Sequence, residues 1–162
     1  MNAPEQIVIR RAKSADIPAL VGLLGLLFSI EQDFVADSAK QQQGLELLLA
    51  EHHHAAVLVA EKGERVIGFC TGQLLISTAE GGPAAVIEDV MVLPEWQRQG
   101  IGKQLLNAIG EWAASCGASR LHLLADRTNA AALAFYQRVG WQTTQLICLR
   151  KFLQESGDAR PD

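Results

Sequence analysis

Apolar and polar residues along the chain alternate with two periods. Gln6-Ile7-Val8-Ile9-Arg10-Arg11-Ala12 is rich in β-branched residues and predicts a first strand. Leu20, Leu23, Leu24, Leu27 and Phe28 then recur at helical spacing, behind Ser14 or Asp16 as a cap and Pro18 in the first turn. Ser38 to His53 predicts a second helix with Leu45, Leu48 and Leu49 on its apolar face. Ala55–Ala60 and Val66–Leu75 flank the charged turn Glu61-Lys62-Gly63-Glu64-Arg65, the pattern of a hairpin. Gly81-Gly82-Pro83 breaks the chain before a β-branched run, Ala84 to Leu93, which Pro94 ends. Gly102 to Cys116 carries Leu105, Leu106, Ile109 and Trp112 on one helical stripe, with Gly117 at the stop. Leu121–Ala125 predicts a strand, Asn129–Val139 a helix ended by Gly140, and Trp141–Phe152 a last strand or pair of strands. Glu155–Asp162 is polar and is expected to fray. The order β-α-α-β-β-β-α-β-α-β predicts an α/β (mixed α+β) fold: one mixed, largely antiparallel sheet of roughly six to seven strands, with about four helices on its two faces.

Composition narrows the function. The 162 residues are 49% apolar and 20% charged, which suits one domain with its own core and excludes disorder. The expected domain is 1–162, with its core at about 6–152. A net charge of −4 disfavours nucleic acid as a partner and suits cationic or small neutral ones. The cysteines, Cys70, Cys116 and Cys148, are odd in number and widely spaced, so they predict buried thiols in a reducing compartment rather than disulfides or a metal ribbon. Met1–Gln6 lacks the basic and apolar regions of a signal peptide, and no apolar run is long enough for a membrane span. A cytoplasmic protein with no membrane partner is expected.

The strongest local feature is Gln97-Arg98-Gln99-Gly100-Ile101-Gly102-Lys103, after a strand and at the start of a helix. Glycines let backbone N–H groups approach a ligand, and the helix N-terminus adds unpaired donors and the positive end of its dipole. That is a phosphate cradle. It is not a P-loop, which would need Gly at Gln97 and Ser or Thr at Gln104, nor a dinucleotide fingerprint, which would need Gly or Ala at Leu105. It does match Q/R-x-x-G-x-G/A. Together with Val86-Ile87-Glu88-Asp89-Val90-Met91-Val92-Leu93-Pro94 and with Asn129 through Phe135-Tyr136 to Gly140-Trp141, it resembles the GNAT superfamily of acyl-CoA N-acyltransferases. Trp141 stands where the family usually has Phe. Ser14–Leu24 and the Glu61–Gly72 hairpin resemble the family's front half, so the likeness runs over most of residues 6–150.

The resemblance implies a splayed sheet with the pantetheine arm of acetyl-CoA in the gap, paired with backbone groups of Val90, Met91 and Val92. It implies that Gln97, Arg98, Gln99, Gly100, Ile101, Gly102 and Lys103 hold the pyrophosphate and that Asn129 meets the pantetheine arm, although Asn129 equally suits a helix N-cap. Tyr136, the one tyrosine, stands where the family places its general acid; by residue type it also suits a core aromatic. Glu88 and Asp89 are a charged pair inside an apolar strand, where a carboxylate is costly unless used or paired. Neighbours on a strand point to opposite faces, so only one faces an acceptor unless a bulge intervenes. Glu88 is taken as the base, directly or through water, against a structural or amine-attracting role; Asp89 and Glu31 are taken as weaker substrate contacts.

Glu31, Asp33 and Asp37 lie between the first two helices, where the resembled family often lines its acceptor pocket. They suit a cationic amine or a plain acidic loop. Direct acetyl transfer to a primary amine in a ternary complex follows, acetyl-CoA being the cosubstrate. No cysteine stands where a nucleophile is needed, and no metal is expected. The alternative reading is a catalytically silent acyl-CoA sensor. A homodimer through the sheet edge or Gln142–Phe152 is a family-level expectation. His52-His53-His54 suits a solvated helix end, and His122 a sheet residue.

Overall fold

The computed structural model describes residues 6–31 and 33–153. The N-terminal residues read for a signal peptide, apart from Gln6, and the tail 154–162 lie outside them. The elements are β1 (Ile7–Arg11), α1 (Ile17–Ile30), α2 (Ser38–Ala50), β2 (Ala55–Lys62), β3 (Arg65–Ser77), β4 (Gly82–Val92), α3 (Ile101–Ser115), β5 (Leu121–Leu123) and α4 (Ala130–Arg138). Single helical turns at Ser14–Asp16 and Pro94–Trp96 precede α1 and the glycine loop.

One sheet runs in the order β1-β2-β3-β4-β5; the first three pairings are antiparallel and β4–β5 is parallel. The period-2 pattern of β2 sorts side chains onto two cores. Val57 and Val59 join Phe69 and Met91 under Leu20, Leu24 and Leu45 of α1 and α2. Ala56, Leu58 and Ala60 join Ile67, Cys70 and Ile87 under Leu105 and Ile109 of α3. A long strand buried on both faces reads as a continuous apolar run, which is why Ala55–Ala60 shows no alternation in sequence.

At the mouth of the β1–β2 pair, Arg10 donates to both oxygens of Asp16, at 2.7 and 3.0 Å, and also pairs with Glu61. The guanidinium holds the Asp16 carboxyl below its ordinary range. Asp16 also accepts from the Lys13 N–H at 2.7 Å, which fixes the entry to α1.

Three expectations are corrected. The sheet has five strands among the described residues, not six to seven. Trp141–Phe152 forms no strand: Trp141 packs edge-on to Tyr136, and Leu146, Ile147, Leu149 and Phe152 are exposed. Among the described residues this segment pairs with no strand, although the outer edge of β5 is open, and an unpaired strand is not stable alone. Arg150 instead donates to the Asp33 carbonyl at 3.1 Å and stacks over Phe34. The second helix stops at Ala50, not His53; its end is closed by the Glu51 N–H bonding to the Leu47 carbonyl, and the histidines form an exposed turn.

Candidate active site

The glycine loop ends at Gly100, whose φ of 79° lies in the left-handed region that favours glycine. Arg98 also has positive φ, at 60°, a conformation that costs a non-glycine residue about 1–2 kcal/mol. Two left-handed residues so close together turn the backbone sharply into α3. The first intrahelical bond runs from Gln104 N–H to the Gly100 carbonyl, and no side chain caps this end. The N–H groups of Ile101, Gly102 and Lys103 are therefore free of the helix ladder and aimed outward, as an anion site requires. A Cβ on Gly102 would sit 3.0 Å from the ring of Phe135, so this glycine lets α4 close against the start of α3.

Beside the loop the sheet opens. β5 pairs with β4 only from Ala85↔Leu121 to Ile87↔Leu123, and beyond Ile87 β4 keeps β3 as its one described partner. The Leu93 N–H bonds to the Ile67 carbonyl at 2.9 Å, and antiparallel ladders alternate. Met91 therefore spends its backbone groups on Phe69 of β3, while Val90 and Val92 turn theirs to the open side. The Gln97 side chain donates to the Val92 carbonyl there at 2.9 Å. Of the three residues expected to meet the pantetheine arm, Val90 and Val92 present free-side groups and Met91 does not.

The charged pair sits at a bulge. The register passes from Cys70↔Val90 to Gly72↔Ile87, so Thr71 alone faces both Glu88 and Asp89. Without the extra residue Ile87 and Met91 would share a face; in fact they lie in opposite cores. Both carboxylates thus find partners from β3 residues on the α1 side. Glu88 is exposed and accepts from Gln73 at 3.3 Å. Asp89 is half-buried, accepts from Thr71 Oγ1 at 2.8 Å and donates its own N–H to that oxygen at 3.1 Å. Burial, with a smaller push from Glu88, raises the Asp89 carboxyl to about 6 against the pull of the Thr71 hydrogen bond.

Tyr136 lies on α4 between the rings of Phe135 and Trp141. Burial, then the negative charge of Glu31, pushes its phenol up to about 12, so it stays protonated. Glu31, at the end of α1, is raised above its ordinary range by burial first and then by Asp89, Asp126 and Asp33. Glu31, Asp89 and Tyr136 are therefore electrostatic neighbours drawn from three elements. Sequence reading missed two residues: Thr71 and Asp126. A hydroxyl directly after the apolar stretch Ile67–Cys70 was the signal for Thr71; nothing distinguished Asp126 from an ordinary turn aspartate.

Asn129 is the N-cap of α4, its Oδ1 accepting from the Ala132 N–H at 3.0 Å. Trp96, before the loop, lies under the Lys62 ammonium at 4.6 Å from the ring centre. His122 is half-buried on β5 and its Nδ1 has no partner. Among the described residues no three His, Cys, Asp or Glu side chains are arranged to hold a metal ion, and no helix is long and apolar enough to cross a membrane.

Residues 25–141 match the family model described as the Acetyltransferase (GNAT) family. The chain is 25% identical over 114 residues to an aminoglycoside N(6')-acetyltransferase type 1 of Salmonella typhimurium, covering 68% of this chain and 77% of that protein. It is 28% identical over 144 residues to thialysine N-epsilon-acetyltransferase of Bos taurus, covering 84% of each. Among solved structures it resembles an aminoglycoside acetyltransferase from an uncultured soil metagenomic sample in complex with sisomicin, with TM-score 0.73, 27% identity and coverage of 91% of this chain and 97% of that one. The fold also matches an aminoglycoside N-acetyltransferase in complex with CoA, with TM-score 0.81, 19% identity and coverage of 94% and 98%. Enzymes of the matched family draw their acetyl group from acetyl-CoA. The family model covers well over half of the chain, across the uncapped helix start, the split sheet and the α4 tyrosine, so this protein belongs to the GNAT acetyltransferase family and transfers acetyl groups to amines.

Proposed function

We propose that this protein acetylates a primary amine of a small polycationic molecule, such as an aminoglycoside or a lysine analogue, by direct transfer in a ternary complex. The observation that carries this reading is the carboxylate set Glu31, Asp89 and Asp126: Asp89 and Asp126 act on Glu31, Glu31 acts on Tyr136, and Asp89 stands on β4 beyond the last residue paired to β5. A polycation brings several ammonium groups, and one carboxylate is needed to take a proton while others hold the remaining charges.

Acetyl-CoA supplies the acetyl group as a thioester. Its pyrophosphate suits the free N–H groups of Ile101, Gly102 and Lys103, with Arg98, Lys103, Gln97 and Gln99 around them. The outward backbone groups of Val90 and Val92 suit the pantetheine amides, and an N–H among them polarises the thioester carbonyl as charge develops on its oxygen. Asn129 Oδ1 is spent on its helix, which leaves its amide nitrogen as a donor to the arm. Asp89, rather than the exposed Glu88, serves as the base: a carboxylate near 6 is ionised at neutral pH yet basic enough to share an ammonium proton. Tyr136, held neutral, donates its O–H to the departing sulfur.

The free thiols Cys70, Cys116 and Cys148 fit a reducing cytoplasm. A homodimer accounts for the exposed apolar residues of 142–153: a groove of about 650 Å³, lined by Leu121, Leu106, Val139 and Trp141, runs beside the outer strand β5. A partner's segment laid there would extend the sheet.

Release of free CoA thiol from acetyl-CoA, measured with an aminoglycoside, a lysine analogue, a diamine and a neutral monoamine, tests the acceptor class. The polycations are expected to give the higher kcat/KM. Glu31→Gln is expected to raise KM for them ~3–10-fold, with kcat and the KM for acetyl-CoA little changed. Equal turnover of the monoamine, or an unchanged KM in Glu31→Gln, would overturn the polycation reading.

A further inference from the structure

We propose that Thr71 is the positioning residue of the base, fixing one oxygen of Asp89 so that the other alone takes the acceptor's proton. This rests on the reading of Asp89 as base. The extra residue on β4 lifts the Asp89 N–H out of the strand ladder, and a buried N–H without a partner is costly. Thr71 Oγ1, wholly buried on β3, accepts it at 3.1 Å. A backbone N–H can only donate, so this bond settles the direction of the next one. The hydroxyl keeps its own proton for Asp89 Oδ2 at 2.8 Å.

Oδ2 is thereby an acceptor in both protonation states. A proton placed on it would collide with the hydroxyl proton, or force that proton away from its one side-chain acceptor. Protonation of Asp89 is confined to Oδ1. In the reaction an N–H bond of the acceptor ammonium breaks, an O–H bond forms at Oδ1, and the electron pair remains on nitrogen for attack. One threonine satisfies the bulge, orients the carboxylate and opposes the upward push of burial on the Asp89 carboxyl.

The groups acting on Asp89 come from every neighbouring element. Glu88 precedes it on β4, and Cys70 adjoins Thr71 on β3. Glu31 at the end of α1 feels Asp89, Asp126 before α4, and Asp33 after α1; Tyr136 of α4 faces Glu31 and Cys70. Glu31 is also raised and titrates nearby, so it needs its own control.

The test is the acid limb of kcat/KM against pH for wild type, Thr71→Val, Thr71→Ser, Asp89→Asn and Glu31→Gln. Thr71→Val keeps the side-chain shape and is expected to move the limb to higher pH by about one unit, with the KM for acetyl-CoA unchanged. Thr71→Ser restores the wild-type limb, whereas Glu31→Gln, which removes a neighbouring like charge, moves it toward lower pH, opposite to Thr71→Val. The carboxyl carbon resonance of Asp89, followed by NMR on carbon-13-labelled protein, gives the same shift without turnover. An unmoved limb and an unmoved resonance in folded Thr71→Val, with the limb abolished in Asp89→Asn, would overturn the role of Thr71 and leave the base reading intact. A limb that survives in Asp89→Asn would overturn both.

Discussion

Asp89→Asn is expected to lower kcat/KM for the amine by ~10²–10⁴-fold, the usual worth of a positioned general base, while leaving acetyl-CoA binding within about twofold. The same change is expected to make the protein more stable at neutral pH. Burial lifts the Asp89 carboxyl from an ordinary 3.8 to about 6, so the folded protein holds that proton more tightly than the unfolded chain does. A group raised in this way contributes stability below its ordinary pKa, and that contribution is lost as pH rises toward and through about 6. At pH 7.5 the native protein carries the cost of a half-buried charge. An amide still accepts from Thr71 Oγ1 and carries no charge, so Asn is expected to stabilise by ~1–2 kcal/mol, seen as a higher Tm. Activity lost with stability gained distinguishes a catalytic carboxylate from a structural one. If Tm falls together with activity, Asp89 holds the bulge and does no chemistry. Steady-state kinetics and thermal melts of one variant decide it.

Tyr136→Phe is expected to lower kcat ~10²-fold or more with the KM for both substrates nearly unchanged, the pattern of an interaction made only as the bond breaks. Phe keeps the packing between Phe135 and Trp141, so the fold and the helix it rides on are preserved. A phenol pushed up to about 12 is a weaker acid than the thiol it serves. Its part is to offer a hydrogen bond to the sulfur as charge gathers there, without ionising itself. The wild-type profile is therefore expected to show no basic limb from Tyr136 below about pH 10. Acceptors tested with thioesters of more acidic thiols are expected to lose less on Tyr136→Phe, because such thiolates need less help to leave. An equal loss with every thioester would place the role of Tyr136 in binding instead.

The halves of this site differed in how far the sequence disclosed them. The coenzyme side was legible because it is local. Leu105, Leu106 and Ile109 at helical spacing behind Gly100 give both the helix and its bare N-terminus, and α3 begins at Ile101. The acceptor side depends on register, which no single strand carries. Glu88 and Asp89 look equivalent in sequence; the skipped pairing opposite Thr71 makes one exposed and the other half-buried. Glu31 and Asp126 come together only through the packing of α1 and the β5–α4 connection. The misread last strand has a different cause. Its residues have strand propensity, but propensity is realised only against a partner edge, and among the described residues 142–153 pair with none.

The most direct test of the account is calorimetry of acetyl-CoA with the wild-type protein and with a Gly100→Glu, Gly102→Glu double variant. Gly100 has a left-handed backbone and Gly102 touches Phe135, so acidic side chains there block the helix start with both bulk and like charge. Saturable binding to the wild type is expected, weakened ~10²-fold or more in a variant whose circular dichroism is retained. No binding by the folded wild type, or equal binding by the variant, would contradict the placement of the coenzyme at the start of α3 and the acetyl-transfer geometry built on it.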